Sequence, residues 1–246
     1  MTASIRERMA VLISRALNDR EVVLTGAASA IPLAACLLAR QRHAPGLTVL
    51  GAGVYINPGR LVPEFTAGWD CHPQAIADMS DVFAVTELGI DVMFYGGMQI
   101  DRHGSINLHQ IRKGDGIIAG PGLANTMLGH TARRTILYTE RHERRTLVDA
   151  VDFVSVVGHR YRGRSRAELG LPNEGPALLV TPDALMRPDA DGTLGVELVH
   201  SGAAWADLRD RTGWDIGEAP PPARFEISDE ELDILRRVVD PRGLLR

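Results

Sequence analysis

The chain has 246 residues, of which 45% are hydrophobic and 24% charged, a balance typical of a globular protein with a sizeable core. Its formal net charge of -4 argues against a general nucleic-acid-binding surface. The sequence shows no apolar run long enough to span a membrane and no secretory leader pattern, so we expect a cytoplasmic protein that does not contact a membrane.

The first fifty residues predict a β-α-β unit. Residues 5–17 carry apolar side chains at helical spacing, and residues 21–26 have the pattern of a short buried strand that ends in glycine. A second helix is predicted to run from Ser29 to about residue 42, followed by a second strand at residues 47–51. Such a unit implies a parallel sheet and an α/β fold.

The later segments predict further strands and two short helices. Residues 177–181 and 194–200 are predicted to form an antiparallel pair, and helices are predicted at residues 203–211 and from Ser228 onwards. A strand or buried turn is predicted at residues 81–86, and strands at residues 116–120, 135–139 and 151–157.

The domain organisation predicted is simple. We find no internal repeat and no low-complexity tract. The proline-rich residues 218–222 predict a stiff linker before the last helix. We therefore expect one domain over residues 1–246, with a short C-terminal extension from about residue 218.

Two glycine-rich turns are candidates for contact with a ligand. Gly120 and Gly122 follow a predicted strand and precede an apparent helix, an arrangement in which backbone N–H groups can face an anion. A plain strand-to-helix turn explains this motif equally well. Gly96 and Gly97 form the second turn, and the residues after it are equally consistent with a β-hairpin that turns at His103-Gly104.

Catalytic and metal-binding patterns are sparse. The eight histidines have no metal-site spacing, and the two cysteines form no CxxC pair, so no metal site is expected. The Gly-x-Ser-x-Gly motif of a serine nucleophile is absent. Glu64, flanked by apolar residues, is a weak candidate for acid-base work, and a solvated loop carboxylate is the simpler interpretation. Glu87 is interpreted as a turn or helix-entry residue.

Four arginines alternate through a predicted polar loop. Arg160, Arg162, Arg164 and Arg166 are suited to holding the phosphates of a nucleotide-bearing thioester or to pairing with acids on another subunit. A solvated loop is the equally consistent alternative.

Together, these segments resemble the beta subunit of class I CoA transferases of the glutaconate type. The resemblance covers most of the chain, and it rests on the order and spacing of its motifs rather than on any one of them. The motifs are Thr25-Gly26-Ala27, residues 86–91, residues 94–101, the turn at residues 120–125, Gly158-His159, Gly175-Pro176 with Val180-Thr181, and residues 240–243.

The resemblance implies an open, mainly parallel sheet flanked by helices, and a homologous alpha subunit with which the chain forms a heterotetramer. The active site is expected at the interface between the two subunits. In active transferases of this type a beta-subunit glutamate attacks the acyl-CoA. Gly51 stands at that position here, before Ala52, and the sequence has no acidic residue at positions 45–63. Glycine cannot form the covalent intermediate.

The resemblance also implies which residues contact the CoA thioester. Coenzyme A is part of the substrate, so no separate cofactor is expected. The expected contacts are Gly51, Ala52, Gly96, Gly97, Gln99, Gly120, Gly122 and Asn125.

One branch of the family also lacks the glutamate at the position that corresponds to Gly51. This branch contains the ring-cleaving hydrolases of steroid and cholesterol catabolism in actinobacteria, in which the key carboxylate belongs to the alpha subunit. We therefore expect a beta subunit that helps to open the last steroid-derived ring of a CoA thioester by hydrolysing a carbon–carbon bond. Three alternatives stay open: a true CoA-transferase with its nucleophile at Glu64 or in the partner, a non-catalytic structural subunit, and an unrelated nucleotide-binding module.

Overall fold

The protein is described by a computed structural model that covers residues 2–26, 29–51, 54–63, 70–123 and 127–246. Two compact units are present: Met1–Phe94 together with Glu226–Arg246, and Tyr95–Phe225. The predicted single domain over residues 1–246 with an extension from about residue 218 stays a prediction. No helix within the described ranges is long and apolar enough to cross a membrane.

The first unit contains the predicted β-α-β unit, which is confirmed. Its elements are α1 (Ile5–Ser14), β1 (Val22–Leu24), α2 (Ala30–Arg42), β2 (Thr48–Gly51), β3 (Tyr55–Ile56), β4 (Ala75–Ile76), α3 (Met79–Glu87), β5 (Val92–Tyr95), α6 (Asp229–Ile234) and a π-helical turn (Leu235–Val239). Strands β1 and β2 pair in parallel with Leu24 opposite Leu50, and β1 also pairs in parallel with β5. Strands β3 and β4 extend this sheet as antiparallel neighbours.

The core of the first unit is built by the apolar faces of α1 and α2. Met9 and Ile13 of α1 are fully buried, as is Leu38 of α2. Ala34 and Ala35 are also fully buried, and their small side chains allow the two helices to pack closely. The helical spacing of these residues therefore predicts the buried faces correctly.

Residues 81–86 contradict the predicted strand or buried turn, because they lie inside α3. The Asp81 carboxylate accepts a hydrogen bond from the Asp78 N–H at 3.4 Å, as in a helix capping box. A short apolar run does not distinguish a strand from a helix, and here the capping residues decide. Glu87, predicted as a turn or helix-entry residue, is the exposed last residue of this helix.

The C-terminal segment is tied to the first unit by ion pairs. Ser228 caps α6 as predicted, through a capping box with Glu231. The Glu231 carboxylate is almost fully buried and forms ion pairs with Arg15 and Arg42, each at 2.8 Å. Arg236 pairs with the buried Glu7 of α1 at 2.7 Å.

The second unit contains a four-stranded arrangement and several small hairpins. Its elements are β6 (Gln99–Asp101), β7 (Ile106–Asn107), β8 (Gln110–Lys113), β9 (Gly116–Ala119), α4 (Leu128–Thr131), β10 (Arg134–Tyr138), β11 (Leu147–Val148), β12 (Arg160–Tyr161), β13 (Arg164–Ser165), β14 (Gly175–Val180), β15 (Ala184–Pro188), β16 (Leu194–Val199) and α5 (Trp205–Arg211). Strands β10 and β14 pair in parallel, which confirms the strand predicted at residues 135–139.

Two strand predictions in this unit are wrong. The predicted partners at residues 177–181 and 194–200 do not pair with each other, because β15 lies between β14 and β16 and pairs antiparallel with both. Residues 151–157 do not form a strand, and Val156 makes only an isolated bridge to Ile106. The first error arises because apolar runs indicate burial but not pairing partners. Residues 151–157 are only partly buried, with Phe153 39% exposed, so their apolar run did not indicate a buried strand.

The hairpin predicted at His103-Gly104 is confirmed by the antiparallel pair β6–β7. Gly104 has φ +74°, a conformation that favours glycine. The Asp101 carboxylate accepts hydrogen bonds from the N–H groups of Ser105 and His103, at 2.8 and 3.0 Å. Burial raises the pKa of Asp101 even though these bonds oppose the shift. Asp101 therefore fixes the hairpin turn.

Candidate active site

The predicted site residues fall in both units, and each part is described by itself. Ala52, Glu64 and Asn125 lie outside the described residues. Gly51 lies in the first unit, and the other predicted residues lie in the second.

Gly51 is the buried last residue of β2, next to the end of β1, where the Thr25 N–H donates to the Leu50 carbonyl at 3.1 Å. A Cβ atom at position 51 would lie 2.9 Å from Cγ of Pro58 and 3.3 Å from the Tyr55 carbonyl oxygen. A proline ring cannot move aside as the end of a flexible side chain can. The local packing therefore fits glycine and leaves no room for a longer side chain without movement of Pro58.

Gly96 and Gly97 follow β5 and line a cavity of about 780 Å³. A Cβ atom at Gly97 would lie 2.8 Å from the Gln99 carbonyl oxygen, whereas one at Gly96 would make only ordinary contacts with Tyr138. Among the described residues, no oxygen accepts a hydrogen bond from the N–H group of either glycine. Two successive N–H groups without acceptors are suited to binding an anion or a developing oxyanion.

Gln99 lines the same cavity, but its side-chain amide is engaged by the protein. Its Oε1 accepts from Asn107 Nδ2 at 2.8 Å and from the Asp152 N–H at 3.0 Å, and its Nε2 donates to the Asp152 carboxylate at 3.1 Å. Gln99 thus holds the segment around Asp152 against β6 and β7. Gly96, Gly97 and Gln99 therefore line the same cavity, and Gln99 is part of its wall.

The N–H groups of Gly120 and Gly122 were predicted as possible contacts for an anion, but both donate to carbonyl groups of the chain. The Gly120 N–H donates to the His109 carbonyl at 2.7 Å, and the Gly122 N–H donates to the Leu108 carbonyl at 2.9 Å. A Cβ atom at Gly120 would collide with the Leu108 carbonyl and with Sδ of Met98, which lines the cavity. This turn is therefore a closely packed element beside the cavity, and its two glycine N–H groups already have acceptors.

Charged side chains surround the cavity, and the sequence patterns did not single them out. Glu143 pairs with Arg145 at 2.6 Å and with Arg141 at 3.5 Å. The hydrogen bond from Arg145 is the main reason that the pKa of Glu143 lies below its usual value. Arg112 and Lys113, the only lysine of the sequence, line the cavity from β8. Residues 140–145 carry no recognised sequence motif, so only the fold reveals which of them line the cavity.

The arginine-rich segment forms a small hairpin rather than an open loop. Strands β12 and β13 pair around Arg162 and Gly163, which both have positive φ angles. The buried Arg166 donates to the carbonyls of Val157 and Gly158 at 3.0 and 2.8 Å. Arg166 therefore supports the chain internally, and nothing in its contacts favours a role in phosphate binding.

Two histidines have well-defined structural contacts. His142 is buried between the hydroxyl groups of Thr181 and Thr212, and burial lowers its pKa to about 4. Nδ1 of His109 lies 2.7 Å from the Ser155 hydroxyl, which also accepts from the Leu108 N–H. Within the described ranges, no group of three or more His, Cys, Asp or Glu side chains could hold a metal ion.

Several relatives cover nearly the whole chain. It is 30% identical to the B-type subunit of 3-oxoadipate CoA-transferase from Pseudomonas knackmussii, over 95% of this chain and 92% of the relative. It is 27% identical to the IpdB subunit of the cholesterol ring-cleaving hydrolase from Rhodococcus jostii, over 90% and 87% of the two chains. No protein-family model matches the chain.

Solved structures show the same fold. The decarboxylase AibA/AibB is 25% identical, with a TM-score of 0.80 and 99% of this chain and 98% of that chain covered. Glutaconate coenzyme A-transferase from Acidaminococcus fermentans is 20% identical, with a TM-score of 0.83 and 100% and 98% covered. This second similarity confirms the predicted fold class, an open, mainly parallel sheet flanked by helices.

Proposed function

From the premise that this chain belongs to the family of B-type subunits of class I CoA transferases, we propose that it is the beta subunit of a ring-cleaving hydrolase. The substrate proposed is a CoA thioester that carries the last steroid-derived ring, and the reaction is hydrolysis of a carbon–carbon bond. An alpha-type subunit is the proposed partner, since the relatives are named as B-type subunits. The proposed assembly is a heterotetramer.

The observation that carries this proposal is Gly51. The resemblance aligns it with the glutamate that forms the covalent intermediate in transferases, and glycine has no carboxylate. The contact that a Cβ atom would make with Pro58 supports the same conclusion, because the surroundings are closed against a longer side chain. The carboxylate that acts as the general base is therefore proposed to come from the partner subunit.

The chemistry proposed is a retro-Claisen cleavage. A carboxylate of the partner removes a proton from water, and the resulting hydroxide adds to a ring ketone. The adjacent carbon–carbon bond then breaks, which leaves a carboxylate on one side and an enolate on the other, and the enolate carbon takes up a proton. No electrons are gained or lost overall, so no redox cofactor is required.

The contribution proposed for this chain is charge stabilisation. The N–H groups of Gly96 and Gly97 are the better candidates for oxyanion donors, because those of Gly120 and Gly122 already bond to carbonyl groups. Loss of one such donor typically raises a reaction barrier by about 3 kcal/mol. Gln99, Gly120 and Gly122 are proposed to shape the pocket around these donors.

A second candidate function is transfer of CoA between carboxylic acids. The observation in its favour is the identity of 30% to a CoA-transferase subunit, against 27% to the ring-cleaving subunit. In that case Glu64 or a residue of the partner would be the nucleophile.

Trapping of a covalent intermediate distinguishes the two functions. The purified complex of this chain with its alpha-type partner is incubated with an acyl-CoA and then treated with borohydride or hydroxylamine. We expect mass spectrometry to find no modified glutamate in this chain. A reduced or hydroxamate-modified glutamate, at position 64 or elsewhere in the complex, would favour the transferase.

A further inference from the structure

A second cavity lies in the first unit, near the position that Gly51 occupies. It has a volume of about 280 Å³ and is formed by the second half of α2, the segment after β3 and the residues before β4. Pro58, the residue that a Cβ atom at Gly51 would touch, forms part of its wall. The lining residues are Leu37, Arg40, Gln41, Pro45, Asn57, Pro58, Gly59, His72 and Gln74.

Arg40 is the charged residue of this cavity. Its Nε atom is buried and has no hydrogen-bond partner among the described residues, and burial lowers the pKa of the guanidinium. None of the described lining residues is an Asp or a Glu. A partly buried cation with an unpaired donor is a favourable place for an anion from outside the chain to bind.

The neighbouring amides present donors to the cavity. The Val49 N–H donates to Asn57 Oδ1 at 2.8 Å, so the other end of the Asn57 amide is its NH₂ group. That group donates to Gln74 Oε1 at 2.8 Å, which fixes the orientation of Gln74 in turn. The acceptor oxygens of both side chains are thus engaged by the protein, and the NH₂ group of Gln74 is left as a donor.

His72 also has one ring nitrogen engaged by the protein and the other left as a donor. Arg60 Nη2 lies 3.2 Å from His72 Nε2. A guanidinium can only donate, so Nε2 is the acceptor and Nδ1 is the nitrogen that carries a proton. His72 and Asn57 both have φ angles near +50°, a conformation that costs energy for residues other than glycine and often marks a ligand site.

We propose that this cavity binds the oxyanion group of a small molecule, a carboxylate or a phosphate, between the guanidinium of Arg40 and the donors of Gln74 and His72. One guanidinium and two further side-chain donors suit a single oxyanion group rather than a polyanion. Binding would fix residues 57–59, and with them the wall beside Gly51. The proposal does not depend on the ring-cleaving function.

Calorimetric titration with inorganic phosphate and with acetate, at constant ionic strength, tests the proposal on the purified complex of this chain with its partner. We expect one saturable site per chain for at least one of the two anions, and the preferred anion identifies the oxyanion. Arg40→Gln should weaken binding at least tenfold. The control Arg20→Gln, in the same unit and with its side chain 90% exposed, should bind as the wild type does.

Gln74→Glu provides an independent variant in case Arg40→Gln does not assemble. It keeps the oxygen that accepts from Asn57 and places a carboxylate near Arg40, so it should abolish anion binding without loss of thermal stability. Unchanged binding in Arg40→Gln, or no binding of either anion to the wild type, would overturn the proposal. Binding to the free chain but not to the complex would also overturn it, in favour of an acidic side chain of the partner.

Discussion

At the scale of single residues, Gly96 and Gly97 are neighbours in sequence that differ in the space around them. Gly97→Ala would push a methyl group against the Gln99 carbonyl oxygen, which a Cβ atom would approach to 2.8 Å. We expect this change to lower the free energy of unfolding by about 1–3 kcal/mol, as overpacking does. Urea unfolding measures this effect.

Gly96→Ala is the matched control. Its Cβ atom would lie 3.5 Å from the Tyr138 ring, an ordinary contact, so the stability should change by no more than about 0.5 kcal/mol. Equal losses in the two variants would contradict the local geometry. If the chain were only a structural subunit, both variants would leave the turnover of assembled complex unchanged.

The residues that sequence patterns can identify are those with local constraints. The glycine turn pointed to Gly96 and Gly97, whereas Gln99 was expected only from the family resemblance, and all three line one cavity. Arg40 was not found, since its neighbours His72 and Gln74 come more than thirty residues later in the chain. No periodicity links such positions, and only the folded backbone brings them together.

At the scale of elements, the C-terminal helix α6 depends on the buried Glu231. Burial alone would raise the pKa of Glu231, but hydrogen bonds from Arg15 and Ser228 outweigh it and hold the pKa below the usual value. Glu231→Gln should lower the free energy of unfolding at neutral pH by about 3 kcal/mol, the lower end for a buried pair, because Arg15 and Arg42 are partly exposed.

The pH dependence has a definite sign. A carboxylate with a depressed pKa in the folded state stabilises the protein above its unfolded pKa, and this stabilisation is lost as the pH falls through the folded value. The difference between wild type and Glu231→Gln should therefore shrink below about pH 4. Glu230→Gln, at a side chain that is 69% exposed, is the control and should change little at any pH. A difference that grows in acid would contradict this account.

The elements themselves were predictable where the pattern was long. Helix α2 shows its buried face over thirteen residues, and its bounds agree with the prediction. Residues 81–86 were mistaken because six residues are too few to separate the helical period from the strand period. Strand β15 was missed because the run Ala184–Pro188 is interrupted by Arg187 and ends in proline.

At the scale of the whole molecule, the fold does not determine the reaction. Proteins similar to this chain are named as a CoA-transferase subunit, a subunit of a ring-cleaving hydrolase and a decarboxylase. The choice among such reactions depends on particular side chains. For this chain we propose Gly51 as the deciding position, because glycine has no carboxylate and a Cβ atom there would lie 2.9 Å from Cγ of Pro58.

The central claim is that this chain serves hydrolysis of a carbon–carbon bond and does not transfer CoA. Its most direct test is turnover of a ring-containing CoA thioester by the complex with the alpha-type partner, in ¹⁸O-labelled water with an added carboxylic acid, followed by mass spectrometry. We expect a ring-opened product that keeps its CoA and carries ¹⁸O in the new carboxylate. CoA attached to the added acid, with the ring intact, would contradict the claim.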